Sequence, residues 1–114
     1  MNMAGKSPTQ NSLTVLRGEG WIAEVVERWI PGINIRKDLF GFVDILALKD
    51  GQTLAVQTTS DSNVSARVKK ITESELLPEL RKAGWLIHVH GWRKAAKIRG
   101  GKTEVWKQRV VDLS

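Results

Sequence analysis

Two apolar runs occupy the middle of the chain. Residues 41–48 (GFVDILAL) and 53–58 (TLAVQT) are rich in aliphatic and β-branched side chains, and Lys49-Asp50-Gly51-Gln52 joins them. Asp-Gly between two such runs predicts a tight hairpin, because a type I′ turn needs two residues that accept φ > 0. With Asp50 and Gly51 as the turn, counting outward sets Lys49 against Gln52, Leu48 against Thr53, Leu46 against Ala55 and Asp44 against Gln57. Side chains opposed in this way have Cβ atoms roughly 4.5–5.5 Å apart. Period-two alternation then puts Thr59 on the face of Gln57. An acid, an amide and a hydroxyl therefore share one patch of an otherwise apolar hairpin.

The pattern before and after this hairpin alternates helix and strand. Ser7-Pro8-Thr9-Gln10 has the form of a helix start, with Ser as N-cap, Pro at the first helical position and Gln placed to close a capping box. That helix is expected to reach about Arg17, with Leu13 and Leu16 inward and Gly18 and Gly20 ending it. Residues 22–29 predict a first strand, a short helix being the alternative, and residues 30–34 (IPGIN) a turn. After the hairpin, Asp61-Ser62-Asn63 offers N-cap chemistry for a helix from Val64, in which Val64, Arg67, Val68 and Ile71 follow helical spacing. Thr72-Glu73-Ser74-Glu75 resembles a second capping box, and Pro78 predicts a kink or restart before the helix ends at Ala83-Gly84. Residues 85–92 (WLIHVHGW) read as a fourth strand with Leu86, His88 and His90 on one face, and residues 103–111 as a last strand. The order α-β-β-β-α-β-β, with a helical crossover before the fourth strand, predicts an α/β domain with a mixed sheet flanked by helices and an extra C-terminal strand.

Length and composition narrow the picture. A chain of 114 residues suits a single domain, 1–114, with residues 1–6 expected to be disordered. No window approaches the roughly 18 apolar residues of a membrane span, and residues 1–6 lack the apolar segment of a signal peptide. The chain has no cysteine, which excludes disulfides and thiolate metal sites and accords with a cytoplasmic setting. Two histidines are too few for a structural zinc site, so any ion would be held by oxygen and would be Mg²⁺, Mn²⁺ or Ca²⁺. The net charge of +6 is confined to the second half: residues 1–60 carry six basic and six acidic side chains, residues 61–114 twelve and six. Arg93, Lys94, Lys97, Arg99 and Lys102 stand in one stretch without an acid. Such one-sidedness points to a polyanionic partner, nucleic acid above all, with a merely solvated face as the alternative. Arg36, Lys37 and Arg67 are further candidates for phosphate contact.

The patch on the hairpin suggests chemistry on that polyanion. Phosphodiester hydrolysis assisted by a divalent cation needs oxygen ligands for the ion and a positive group near the developing charge. Asp44 is the first ligand; Gln57 offers a carbonyl oxygen and Thr58 its main-chain carbonyl, while Asp38 or Glu27 could add a second carboxylate. Lys69 or Lys70, on the next helix, could reach a phosphate. A purely structural account competes with this: Asp44 paired with Arg36 or Lys70, and Gln57 bonded to Asp44. His88 and His90 at i,i+2 could likewise bind a metal or form a polar sheet face.

Phe42-Val43-Asp44-Ile45-Leu46-Ala47-Leu48, the Asp-Gly turn, and Leu54-Ala55-Val56-Gln57-Thr58-Thr59 resemble the core of the PD-(D/E)XK nuclease superfamily. The likeness is to its small Holliday-junction-resolvase and VRR-NUC members in particular, and Leu16-Arg17-Gly18-Glu19-Gly20-Trp21 is similar to the end of their first helix. The resemblance spans roughly residues 7–92. It implies a restriction-endonuclease-like αβββαβ core, a Mg²⁺- or Mn²⁺-dependent endonuclease acting on DNA, branched DNA included, and a homodimer. It places the family's acid on Asp44 and its Glu-x-Lys on Gln57-Thr58-Thr59, so that Gln replaces Glu and Thr replaces Lys. Those departures remove one negative charge from the metal site and the cation facing the phosphate. The lysine role would then fall to Lys69 or Lys70. The stretch matching the family's first-helix glutamate carries Thr9 and Gln10. A catalytically degraded DNA-binding module of the same fold is the second reading. A protein-interaction domain with an incidental basic face is the third.

Overall fold

The computed structural model describes residues 7–114; the expectation of disorder at residues 1–6 lies outside the described residues. Helix α1 (Pro8–Gly18) starts as the sequence indicates, the Ser7 hydroxyl accepting from the Gln10 amide at 3.2 Å with Pro8 in the first turn. Strands β1 (Ile22–Val25), β4 (Ile45–Lys49), β5 (Gln52–Ser60), β6 (Leu86–Ala96) and β7 (Glu104–Asp112) form one sheet in the order β1-β4-β5-β6-β7. Only β5 and β6 run parallel, across a crossover that contains a single 3-10 turn (Asp61–Asn63), α2 (Val64–Thr72) and α3 (Leu77–Lys82). The fold is thus α/β with a mixed five-stranded sheet and helices packed on it.

The Asp-Gly turn closes the central hairpin in the register counted above, from Lys49↔Gln52 to Ile45↔Val56. Asp50 and Gly51 both have positive φ, 50° and 77°, as a type I′ turn demands. The sheet separates two apolar layers. Leu13 and Leu16 of α1 cover Ile45, Ala47, Leu54 and Val56 on one face. Val64 and Ile71 of α2 and Leu77 and Leu80 of α3 cover Ala55, Ile87 and Val89 on the other. Gly91 is where β6 passes closest to the crossover. A Cβ there would stand 2.3 Å from Val64 Cγ2 and 3.3 Å from Asp61 Cα, so only glycine fits.

Three local expectations are corrected. The first strand does not continue through residues 26–29. It ends at Val25, and residues 28–37 form a separate small hairpin of β2 (Arg28–Ile30) and β3 (Ile35–Lys37), built around the expected turn. The strand of Asp44 begins at Ile45, because Leu39 and Val43 bridge each other across a tight bend with Phe40 and Gly41 at positive φ. Asn63 does not cap α2 through its side chain, which donates to the Ser60 hydroxyl instead; the preceding 3-10 turn leads directly into the helix. At Pro78, of the kink or restart expected, the helix takes the restart: α2 stops at Thr72, and Ser74 accepts from the Leu76 amide ahead of α3.

Candidate functional site

Asp44 sits one residue before β4, where the backbone pairing of the sheet gives way to the bend at 39–43. Its amide donates to Val56 O and its carbonyl accepts from Val26 N, so its main chain is locked between β1 and β5. Continuing the β4–β5 register places Asp44 opposite Gln57, and the Gln57 amide nitrogen donates to Asp44 Oδ2 at 2.6 Å. The same oxygen accepts from Thr58 N at 2.8 Å and Thr58 Oγ1 at 3.2 Å. Thr58 Oγ1 is in turn 2.8 Å from Thr9 Oγ1 in the first turn of α1. Three donors on Oδ2 fix the orientation of the carboxyl.

The small hairpin sequence reasoning missed delivers two more acids to this point. Arg28 pairs with Lys37, and one step beyond that pair stand Glu27 and Asp38. Glu27, Asp38 and Asp44 each bring a carboxylate oxygen within 4.8 Å of the others. Burial pushes the Asp44 carboxyl up from 3.8 to about 7. The Thr58 amide opposes the shift, and the neighbouring Asp38 carboxyl adds to it by hydrogen bonding and repulsion. Carboxylates this close repel one another, and a cation among them would relieve that repulsion.

The residues suit a hard divalent cation. The three carboxylates are oxygen donors, and Gln57 Oε1 is buried with no hydrogen-bond partner, an orphaned acceptor beside the cluster. Glu27, Asp38, Asp44 and Gln57 would hold the ion. Thr58, expected to lend its carbonyl, instead orients Asp44 through its amide and hydroxyl. Among the described residues no other His, Asp and Glu side chains gather as closely.

These groups line a cleft of about 480 Å³. Its walls also carry Thr9 and Gln10 at the positive end of α1, together with Arg36 and Arg67. Arg36 reaches Glu27 at 3.6 Å, not Asp44, and Arg67 has no ion-pair partner among the described residues. Lys69 and Lys70 are exposed and do not line the cleft. The reason lies in the helix period: Val64, Arg67, Val68 and Ile71 form the inward stripe of α2, and Lys69 and Lys70 fall on the opposite side. Thr59 is buried on the α2 side of β5, opposite Gly91, and does not line the cleft either. Lys37 is exposed on β3. Arg93, Lys94, Lys97, Arg99 and Lys102 are exposed along β6 and the loop that follows it, away from the cleft.

The histidines serve the fold. His90 is buried with Nδ1 2.9 Å from Ser12 Oγ, which also accepts from Trp92 Nε1, and burial holds His90 down at about 4, near-neutral at physiological pH. His88 Nε2 lies 3.6 Å from Asp112. The signal for the acid cluster was present in the sequence as the pair of acids flanking residues 28–37, but only a hairpin centred on Gly32-Ile33 makes them neighbours. No protein-family model, no curated protein and no solved structure matches this chain.

Proposed function

We propose that the protein is a small nuclease-like enzyme that hydrolyses DNA phosphodiesters at the Asp44 cleft with the help of Mg²⁺ or Mn²⁺. One observation carries the reading: three clustered carboxylates and the residue of an orphaned amide oxygen line one cleft, with Arg36 and Arg67 on its walls. A bound cation would supply Lewis-acid polarisation of the scissile phosphate and would replace the proton that Asp44 otherwise keeps up to about pH 7. Arg67 and the N-terminal end of α1 hold the non-bridging phosphate oxygens, the role first sought in Lys69 or Lys70. Thr58 and Gln57 keep Asp44 in place. Hydrolysis adds water across the P–O bond, breaking the bond to the leaving ribose oxygen and leaving a phosphate on the other strand end. The order of the site along the chain also agrees with the likeness to the PD-(D/E)XK superfamily, with Gln57 for its Glu and Arg67 for its Lys.

Cleavage of labelled linear and four-way-junction DNA tests this. Nicking should require Mg²⁺ or Mn²⁺, stop in EDTA and be lost in Asp44→Ala. Arg67→Ala should lower the rate by about 10²–10³, as loss of a single transition-state donor does, while Lys69→Ala and Lys70→Ala remain close to the parent. No cleavage of any of these DNAs in either metal, with a folded protein, would overturn the enzymatic reading. The absence of a lysine among the described residues that line the cleft favours one alternative, a DNA-binding module that no longer cleaves. Metal-independent binding without any nicking would identify it.

A further inference from the structure

Strand β5 ends at Ser60, opposite Trp92 of β6, and β7 is the edge of the sheet. From Arg93 onward, β6 and β7 therefore run on as a two-stranded ribbon with no third strand beside it. Its pairs are Arg93↔Lys107, Lys94↔Trp106, Ala95↔Val105 and Ala96↔Glu104, and Lys97 N donates to Thr103 O at 2.8 Å to extend the ladder. The tip turns at Ile98–Gly101, closed by Gly101 N to Ile98 O at 2.9 Å. At about 3.3 Å per residue the arm projects roughly 20 Å beyond the end of β5.

This arm carries the charge of the molecule. Residues 93–109 hold seven basic side chains against one acid, Glu104, an excess equal to the net +6 of the whole chain. Two clusters divide it. Arg93, Lys107 and Arg109 gather at the root around a cleft of about 390 Å³, which Asp61 and Gln108 also line, so three cations there face one acid. Alternation and pairing put all three on the sheet face of Gln57 and α2, since Thr59 pairs with Gly91 and Gly91 with Arg109. Lys97, Arg99 and Lys102 surround the tip, where Ile98 is 70% exposed. At the root, Lys94 covers the half-buried Trp106 ring at 5.1 Å, which stiffens the ribbon on its other face.

We infer that the β6–β7 ribbon enters the major groove of duplex DNA, its tip cations in the groove and its root cations on the flanking phosphates. A two-stranded ribbon fits the ~12 Å width of the B-form major groove, whereas the deep, narrow major groove of A-form RNA does not admit it. The root cluster shares its sheet face with Gln57, so a duplex held on the root cations lies on the same side of the sheet as the Asp44–Gln57 pair. The inference rests on the DNA partner of the proposed function and not on its metal or its chemistry.

Fluorescence anisotropy in EDTA separates the two. The full chain should bind a 20-base-pair DNA duplex with a log–log salt slope of about −5, from six phosphate contacts. Arg93→Ala/Lys107→Ala/Arg109→Ala should flatten that slope by about 3 and Arg99→Ala/Lys102→Ala by about 2, both with unchanged circular dichroism. Methylation of guanine N7 by dimethyl sulfate reads the major groove directly. Protection by the native chain that disappears in the tip variant supports the inference. An RNA duplex of the same sequence bound as tightly as DNA, or a tip variant that keeps both slope and N7 protection, overturns it. Failure to cleave leaves these readings intact, and cleavage with no ribbon dependence would sink the inference alone.

Discussion

At Asp44 a single oxygen takes three hydrogen bonds and two further carboxylates stand close by, and this buried crowding has a thermodynamic consequence. The unfolded carboxyl titrates near 3.8 and the folded one near 7, so between those values the folded chain holds a proton that the unfolded chain has released. The stability linked to Asp44 is therefore full below about pH 4, falls as the pH rises toward 7 and stays low above it. Asp44→Asn keeps the acceptor and abolishes the titration. In EDTA it should be more stable than the native protein at about pH 8, by about 2–4 kcal/mol, and close to it near pH 4. Urea unfolding at both values measures this, and a difference that does not change with pH would refute the account. His90, whose folded value lies below its ordinary one, acts in the opposite sense, losing its contribution as the pH drops from about 6.5 toward 4, and it cancels in that comparison. Gln57→Glu should do the reverse of the asparagine change. It adds a fourth negative charge to the cluster, lowering stability without metal and raising Mn²⁺ affinity about tenfold at pH 8 by calorimetry. Equal affinities would mean that Gln57 does not face the ion.

Among the elements, β6 is the one that the fold can least move. It pairs with β5 and β7, and its Gly91 lies against Val64 and Asp61 where the crossover begins. The Cβ of Gly91→Ala would meet Val64 Cγ2 at 2.3 Å and Asp61 Cα at 3.3 Å, so the crossover must shift, and a loss of about 2–3 kcal/mol in chemical denaturation is expected. A neutral result would show that the crossover shifts without cost. Elements were legible in proportion to how much local chemistry defined them. The Asp-Gly turn, the Ser-Pro start of α1 and the inward stripe of α2 depend on neighbours within four residues, and all stand where residue types put them. The break at residues 26–27 was not legible, because Val25, Val26, Trp29 and Ile30 are all β-formers; the chain leaves the sheet there because Val26 bonds to Asp44 O and the strand partner runs out.

Taken as a whole, the molecule joins three layers through buried polar contacts as well as apolar ones. Ser12 of α1 meets both Trp92 Nε1 and His90 Nδ1 of β6, at 2.9 Å each, and ties the helix whose first turn lines the cleft to the strand whose continuation is the basic ribbon. Ser12→Ala should cost about 1–3 kcal/mol, since it leaves the Trp92 N–H buried and unpaired. If its denaturation midpoint matches the native one, that tie is not holding the layers together. No helix of the described residues is long and apolar enough to cross a membrane.

By itself the sequence determined the hairpin register that sets Asp44 against Gln57, the helix stripes, and the one-sided distribution of charge, because each follows from spacings of a few residues or from composition. Only the tertiary structure decided which acids join Asp44, which cation faces them and where the basic stretch stands. Glu27, Asp38 and Arg67 come from a separate hairpin and from the crossover helix, and no local period relates them; the packing of β4 and β5 against those elements makes them neighbours.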